Sequence, residues 1–313
     1  MVDQVNTTAV VTYESNMRMA LQPQGGDLMG LCLEQDLEGE LAELDDIFGA
    51  ADTETIRDRH VPITPTEAPQ DRLWLGKPDP DYYDRPVNSQ DKLMARVQLT
   101  GGYVMQGSAA IRRYWDRQWI NGFFGPRQTG KKGTIVVPFP SGQVVPYNTG
   151  FGAGGTYRHS VEKCLIAREI LGLGNVDYSD TLACMMITPK QETDLLREVQ
   201  VTSSEFTAMG GRMSKDNKHL VSFLGFEMVK KNLGDPLYAN KAPTTGADAG
   251  GGTSRRLPFW VKEGVAAGWW ERLFTDISVR ADLHYEQQVY ARSCVGVTRT
   301  QDGYSGYIEC REG

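Results

Sequence analysis

The chain has 313 residues, 40% hydrophobic and 9% aromatic, which is enough apolar material for one large or two-part domain with a sizeable core. Its 33 Lys and Arg against 40 Asp and Glu leave a formal charge of −7, the wrong sign for a protein whose main task is to grip phosphates. No window approaches the roughly 18 uninterrupted apolar residues of a membrane helix. Met1 to Val11 has neither the basic opening nor the apolar stretch of a secretory signal. The expectation is a soluble protein made and kept in a cytoplasm, with no membrane partner.

Charge is unevenly placed along the chain. Between Met19 and Ile56 there is no Lys or Arg, and ten acids fall there, from Asp27 to Glu54. Basic residues then begin with Arg57, Arg59 and His60 and continue with Arg72, Lys77 and Arg85. An acidic segment followed by a more basic one suits pairing within the chain or with a neighbouring copy, and a solvated charged face is the plainer reading. Leu37, Leu41, Leu44 and Phe48 have helical spacing inside this stretch. From Asp58 to Asn88 six prolines exclude helix and disfavour a central strand. Leu73, Trp74, Leu75, Tyr82 and Tyr83 are nevertheless large and apolar. An extended excursion has little core of its own, so a second copy of the chain is expected to bury them.

Ile111, Trp115, Trp119 and Phe123 recur every four residues and predict an amphipathic helix within Ala95 to Gly125, with Arg112, Arg113, Asp116, Arg117 and Asn121 on its opposite face. Thr134–Phe139 and Gln143–Tyr147 read as a hairpin around Pro140-Ser141-Gly142. A helix follows from about Arg158 to Leu171, with Val161, Cys164, Leu165 and Leu171 inward, and Leu182–Ile187 has the run of a buried central strand. Thr188-Pro189-Lys190-Gln191 carries the marks of a capping box opening a helix to about Val199. Leu220–Val229 and Arg256–Trp270 read as strands, Ala242–Thr253 as a light glycine-rich loop, and Val279–Arg299 as partly helical or extended. Asp302-Gly303 is a turn into a last strand, Tyr304–Cys310. Strands and helices do not strictly alternate, so the class is α+β.

Few motifs suggest chemistry. Gly125-Pro126-Arg127-Gln128-Thr129-Gly130-Lys131-Lys132 nearly spells a phosphate loop, but Lys132 stands where a Ser or Thr must hold magnesium. Gly150 to Gly155 satisfies GxGxxG, but Pro146 and Asn148 break the strand such a loop must follow. Gly303-Tyr304-Ser305-Gly306 falls short of GxSxG, and Asp45-Asp46 is adjacency in an acidic run and not a catalytic pair. Five cysteines without a CxxC pair and four scattered histidines spell no metal motif and read as buried thiols in a reducing compartment. No catalytic residue, cofactor or metal is expected.

Local signatures, taken in order, carry a resemblance. They are Arg57-Asp58-Arg59-His60 with Pro62-Ile63-Thr64-Pro65, Arg112-Arg113-Tyr114-Trp115-Asp116, Thr188-Pro189-Lys190-Gln191-Glu192 with Leu195-Leu196, Val201-Thr202-Ser203-Ser204, Gly225-Phe226 and Tyr290-Ala291-Arg292-Ser293. Over nearly its full length the chain resembles the major capsid proteins of tailed bacteriophages, with the Hong Kong 97-type fold. The resemblance implies an N-arm at residues 1–27, an extended E-loop at 28–96, a peripheral domain with a long spine helix at 97–155 and 276–313, and an axial domain at 156–275. It implies a virion shell of hexamers and pentamers, assembled in the host cytoplasm and enclosing double-stranded DNA without reading its sequence. A separate scaffolding protein, a portal and a decoration protein are the further partners implied. Phe48, Arg57, Arg59, His60, Arg72, Trp74, Tyr82 and Tyr83 would then make contacts between subunits. An encapsulin-like compartment is the rival within the shell class, and a nucleotide-binding enzyme using Gly125–Gly155 is the rival outside it.

Overall fold

A computed structural model describes residues 25–48, 70–87, 99–150, 157–176, 181–198, 211–213, 220–239, 245–247 and 253–311. The chain forms β1 (Leu33–Asp36), β2 (Leu41–Phe48), β3 (Gln70–Gly76) and β4 (Asp81–Val87), then the long helix α1 (Leu99–Phe124). Next come β5 (Arg127–Thr129), β6 (Ile135–Val137), β7 (Val144–Val145), α2 (Val161–Leu173), β8 (Ala183–Ile187) and α3 (Pro189–Arg197). The remainder is β9 (Arg212–Met213), β10 (Leu220–Phe223), β11 (Phe226–Lys230), a short α4 (Pro236–Ala239), β12 (Thr245–Ala247), β13 (Thr253–Val261), β14 (Val265–Arg280), β15 (Glu286–Arg299) and β16 (Ser305–Arg311). No helix among the described residues is long and apolar enough to cross a membrane.

Three sheets organise these elements. One runs β1-β14-β15-β4, a second β2-β3-β5-β6, and the largest β7-β16-β13-β8-β11-β10-β9 with β12 on β13. The apolar run of β8 is central and buried on both faces, as its composition requires. Ala183, Met185 and Ile187 join a core with Val161, Cys164, Ala167 and Leu171 of α2, whereas Cys184 and Met186 join a core with Trp119 and Phe123 of α1. Successive side chains of one strand therefore divide two cores.

The four-residue aromatic stripe of α1 forms as its spacing predicts. Trp119 and Phe123 are fully buried, with the Trp119 ring 4.4 Å from Trp260 and 5.1 Å from Phe123. Burial here stabilises by about 1.5–3 kcal/mol per large side chain. The helix meets β15 so closely that a Cβ on Gly122 would lie 2.0 Å from the Val297 carbonyl oxygen. It ends at Gly125-Pro126, and the fully buried Arg299 donates to the Phe123 and Gly125 carbonyls, the latter at 2.6 Å. That satisfies two acceptors which the helix end leaves open.

Several expectations need correction. Arg113 and Asp116 are buried rather than on a solvated face, because α1 is covered on two sides. Leu37, Leu41, Leu44 and Phe48 are not on a helix: 41–48 is extended, with Ala42 and Leu44 buried and Leu41 and Glu43 outward. The apolar side chains of Leu73, Leu75 and Ala266 cover that inner face, so period two wins over helical spacing. The hairpin foreseen around Pro140 does not form. β6 turns back on β5, while β7 pairs in parallel with β16. Leu220–Val229 is two strands joined at Leu224-Gly225, both at positive φ as a tight hairpin turn requires. Asp302-Gly303 is a 3-10 turn carrying the chain from one sheet to another, not a hairpin, and Val279–Arg299 is entirely strand and turn. Leu165 faces outward and Ala167 takes its inward place. Thr188 makes no side-chain cap to α3, so no capping box forms there. Ser160 does cap α2, accepting from the Lys163 N–H.

His159 is enclosed between Cys164 and Cys310, its ring nitrogens 3.6 and 3.7 Å from the two sulfurs. Burial holds its pKa down at about 3. The native state thus refuses a proton that the unfolded chain accepts below about 6.5. Stability from this site is full above that value and is lost as the pH falls toward about 3, by up to ~1.4 kcal/mol per pH unit. Urea titrations between pH 7 and 5, before most carboxylates protonate, should follow this slope, and His159→Gln should flatten it. An equally steep slope in the variant would place the effect elsewhere. Gly122→Ala should lower the urea midpoint by the equivalent of about 1–3 kcal/mol or more, because backbone must move.

Candidate assembly surface

The base of the surface is an ionic knot that anchors α1. Asp116 sits one turn after Arg112, beside the Trp119–Phe123 end of the aromatic stripe, and its side chain is 1% exposed. Lys231, just past β11, reaches it at 2.9 Å and also binds Asp27 at 2.6 Å. The Tyr238 hydroxyl of α4 donates to the same carboxylate at 3.1 Å, and the Gly26 N–H donates at 3.0 Å. Burial pushes the Asp116 carboxyl above the ordinary carboxylate range, and Lys231 and these hydrogen bonds oppose that rise. One buried charge thereby joins the entry segment, α1, the end of β11 and α4. Gly25 fits against the α1 backbone with no room for a side chain, since a Cβ would lie 2.5 Å from the Arg112 carbonyl.

Beyond this base the β14–β15 ribbon projects. The first five residues of β14 are buried and most of those beyond Trp270 are exposed. Its outer part presents Leu273, Phe274, Ile277 and Val279, with Ile277 54% and Val279 55% exposed. Tyr82 on the adjoining β4 is 67% exposed and stacks at 6.3 Å on Tyr290. The ribbon and the first turns of α1 enclose an apolar groove of about 360 Å³ between Val104, Gly107, Ile111, Leu273, Ile277 and Val289. Strand pairing sets Tyr82 with Arg292 and Phe274 on one side of the ribbon and Ile277 with Val289 on the side toward α1, and exposed apolar side chains in such number are uncommon on a protein that stays alone.

The residues singled out from sequence divide into distinct groups. Arg57, Arg59 and His60 lie outside the described residues, and Phe48 ends β2 opposite Gln70. Arg72 faces Glu43 across the β2–β3 pair at 3.4 Å, an exposed ion pair worth little. Trp74 donates from Nε1 to the Gly130 carbonyl at 2.6 Å and packs under Gly133, so its ring supports the β5–β6 turn of its own chain. Tyr83 is buried in its own chain with Val87, Ile111 and Val289, and its hydroxyl donates to Gln106 at 2.9 Å. The expectation that another copy must bury these aromatics is corrected for Tyr83: β4 pairs with β15, and the pairing turns that ring onto α1. Sequence reasoning missed the Asp116 knot. The one available signal was a lone acid among five arginine and aromatic neighbours, Arg112 to Trp115 and Arg117, on a helix.

A family model described as phage capsid protein matches residues 5–312. The chain belongs to that family. No curated protein matches it in sequence. Among solved structures it is similar to the capsid of the cyanophage P-SCSP1u, with a TM-score of 0.70 at 13% identity, covering 97% of this chain and 94% of that one. It is also similar to the capsid of Ralstonia phage GP4, at TM-score 0.69, 9% identity and coverage of 99% and 97%. The capsid of cyanophage Pam1 matches at 0.65 and 11% identity over 100% of both chains. At such identities the likeness establishes the fold, the Hong Kong 97-type capsid fold. The protein has a structural role in the virion capsid.

The motifs that suggested nucleotide chemistry take other forms in this capsid protein. The near phosphate loop is the β5–β6 hairpin, with Gly130 and Gly133 at positive φ in its turn, and no helix follows it. The strand before the GxGxxG run is the two-residue β7, and residues 151–155 of that run lie outside the described residues. Among the described residues no group of three or more His, Cys, Asp or Glu could hold a metal ion. Asp116→Asn should cost about 3–5 kcal/mol in urea unfolding at neutral pH, because it leaves the buried Lys231 short of a charge partner. The pair replacement Asp116→Leu with Lys231→Met should recover much of that loss. A single-variant cost below about 1 kcal/mol would mean that the knot is dispensable.

Proposed function

We propose that this capsid protein is the major subunit of an icosahedral head, assembling through hexamers and pentamers around packaged double-stranded DNA. The observation that carries the reading is the outer β14–β15 ribbon with Tyr82, whose exposed apolar side chains, Tyr82 and Phe274 on one side and Ile277 and Val279 on the other, its own chain leaves uncovered. Closing a shell buries such side chains at its interfaces, and removing them from water favours the association. In this reading residues 1–27 are the N-arm, and the peripheral and axial domains meet near residues 155 and 275. The reaching loop is the β2–β3 pair with residues 49–69 between its strands, because β4 belongs to the ribbon sheet. Phe48, Arg57, Arg59, His60, Arg72 and Trp74 lie on or beside that loop and are the proposed contacts with a neighbour, together with Tyr82. A scaffolding protein, a portal and a decoration protein complete the proposed partners, and assembly takes place in the host cytoplasm.

Tyr82→Ser combined with Ile277→Ser should leave circular dichroism and the urea midpoint unchanged and reduce particle yield at least tenfold, read by negative-stain imaging and size-exclusion chromatography. Normal particle numbers from this variant would remove the ribbon from the assembly interface. Nuclease-resistant DNA inside the particles supports a phage head, and packaged protein cargo would favour an encapsulin-like compartment instead.

A further inference from the structure

The start of α3, the approach to α2 and the end of β16 converge on a shallow cleft of about 340 Å³. Its charged lining is Arg158, Lys190, Arg197 and Arg311 against Asp194 alone, a local balance of +3 on a chain of −7. Arg158 is 3.7 Å from Asp194 and its side chain is 59% exposed, while Lys190 and Arg197 are also exposed. Arg311 lies over the Tyr147 and Tyr157 rings at 5.6 and 5.2 Å, and those rings stack 5.8 Å apart. The fully buried Lys163 ties the same segments together, donating to the carbonyls of Tyr147 at 2.8 Å, Tyr157 at 3.4 Å and Glu309 at 3.1 Å. The cleft therefore has a fixed floor. Three nearby acids each have a partner outside the lining: Glu309 with Arg256, Glu192 with Lys230 and the Leu220 N–H, and Glu198 with the Val161 N–H.

We propose that this cleft contacts the phosphodiester backbone of duplex DNA and marks a surface turned toward the interior, an inference that rests on the shell reading. Guanidinium groups match phosphate oxygens in a planar, two-pronged way. The first turn of α3 adds its positive dipole end beside Lys190. A protein partner needs apolar anchors at the centre of its contact, and Pro189 is the one apolar residue of this lining. Three net charges give weak contact that salt reverses, which suits a wall that DNA touches without adhering to it.

The test uses Arg158→Gln, Lys190→Gln and Arg197→Gln together, in the purified unassembled protein, with a fluorescent 20-base-pair duplex titrated at several salt concentrations. The wild type should bind at low salt with a log–log salt slope, and the triple variant should lose at least tenfold in affinity with a slope lower by about 2–3. Unchanged binding would overturn the proposal. Displacement of the duplex by micromolar inorganic phosphate at fixed ionic strength would reassign the cleft to a small anion. Tighter binding of a poly-glutamate peptide of equal charge would reassign it to an acidic protein segment. Particle imaging of both proteins is read separately. Failure of wild-type particles to form would count against the shell reading, and failure in the variant alone would make the cleft a subunit contact.

Discussion

Helix α1 depends on a charge placed where a charge is costly. Its aromatic side packs into a core shared with β8, β13, the entry segment and α4, and the last two also enclose Asp116 at the edge of that side. A helix face buried this deeply would ordinarily be apolar throughout. Here Asp116 is kept inside by three donors from three other parts of the chain, Lys231, Tyr238 and Gly26. A buried acid of this kind contributes little net energy compared with well-packed apolar groups, but it is strongly selective. It accepts one arrangement of entry segment, helix and sheet, and a shift of any of them strands a charge.

That selectivity matters in a capsid protein that carries exposed apolar side chains elsewhere. The outer ribbon carries exposed apolar side chains, and β2 presents Glu43 outward. Each such surface would be a liability on a loosely defined fold, since apolar faces associate without discrimination. The rigid junction at α1 ensures that they are presented in one relative geometry. Arg299 works to the same end, closing the last turn of α1 from β15 while its guanidinium lies 4.4 Å over the Phe139 ring. Burial lowers its pKa to about 10, so it stays charged across the physiological range.

Local patterns in the sequence were legible where one element's own periodicity decides its state. The four-residue aromatic stripe of α1, the continuous apolar run of β8 and Pro189 at the first turn of α3 each formed as read. Reading failed where a partner distant in sequence decides. Leu37, Leu41, Leu44 and Phe48 suit a helix in isolation, and β3 makes 41–48 a strand. Val144-Val145 pairs with β16, more than 160 residues later, and not with its neighbour β6.

The assembly surface follows the same division. Composition and order within the chain determined that this is an acidic α+β protein of the capsid family, with a charged, proline-rich excursion before a long amphipathic helix. Those properties are summed or periodic, and every residue carries its share of them locally. Tertiary structure alone decided which aromatics are covered, since Tyr82 and Tyr83 are adjacent and equal in sequence. Strand pairing turns Tyr83 onto α1 and leaves Tyr82 in solvent. The side chains of a strand alternate between two faces, and which face is the inner one depends on what packs there.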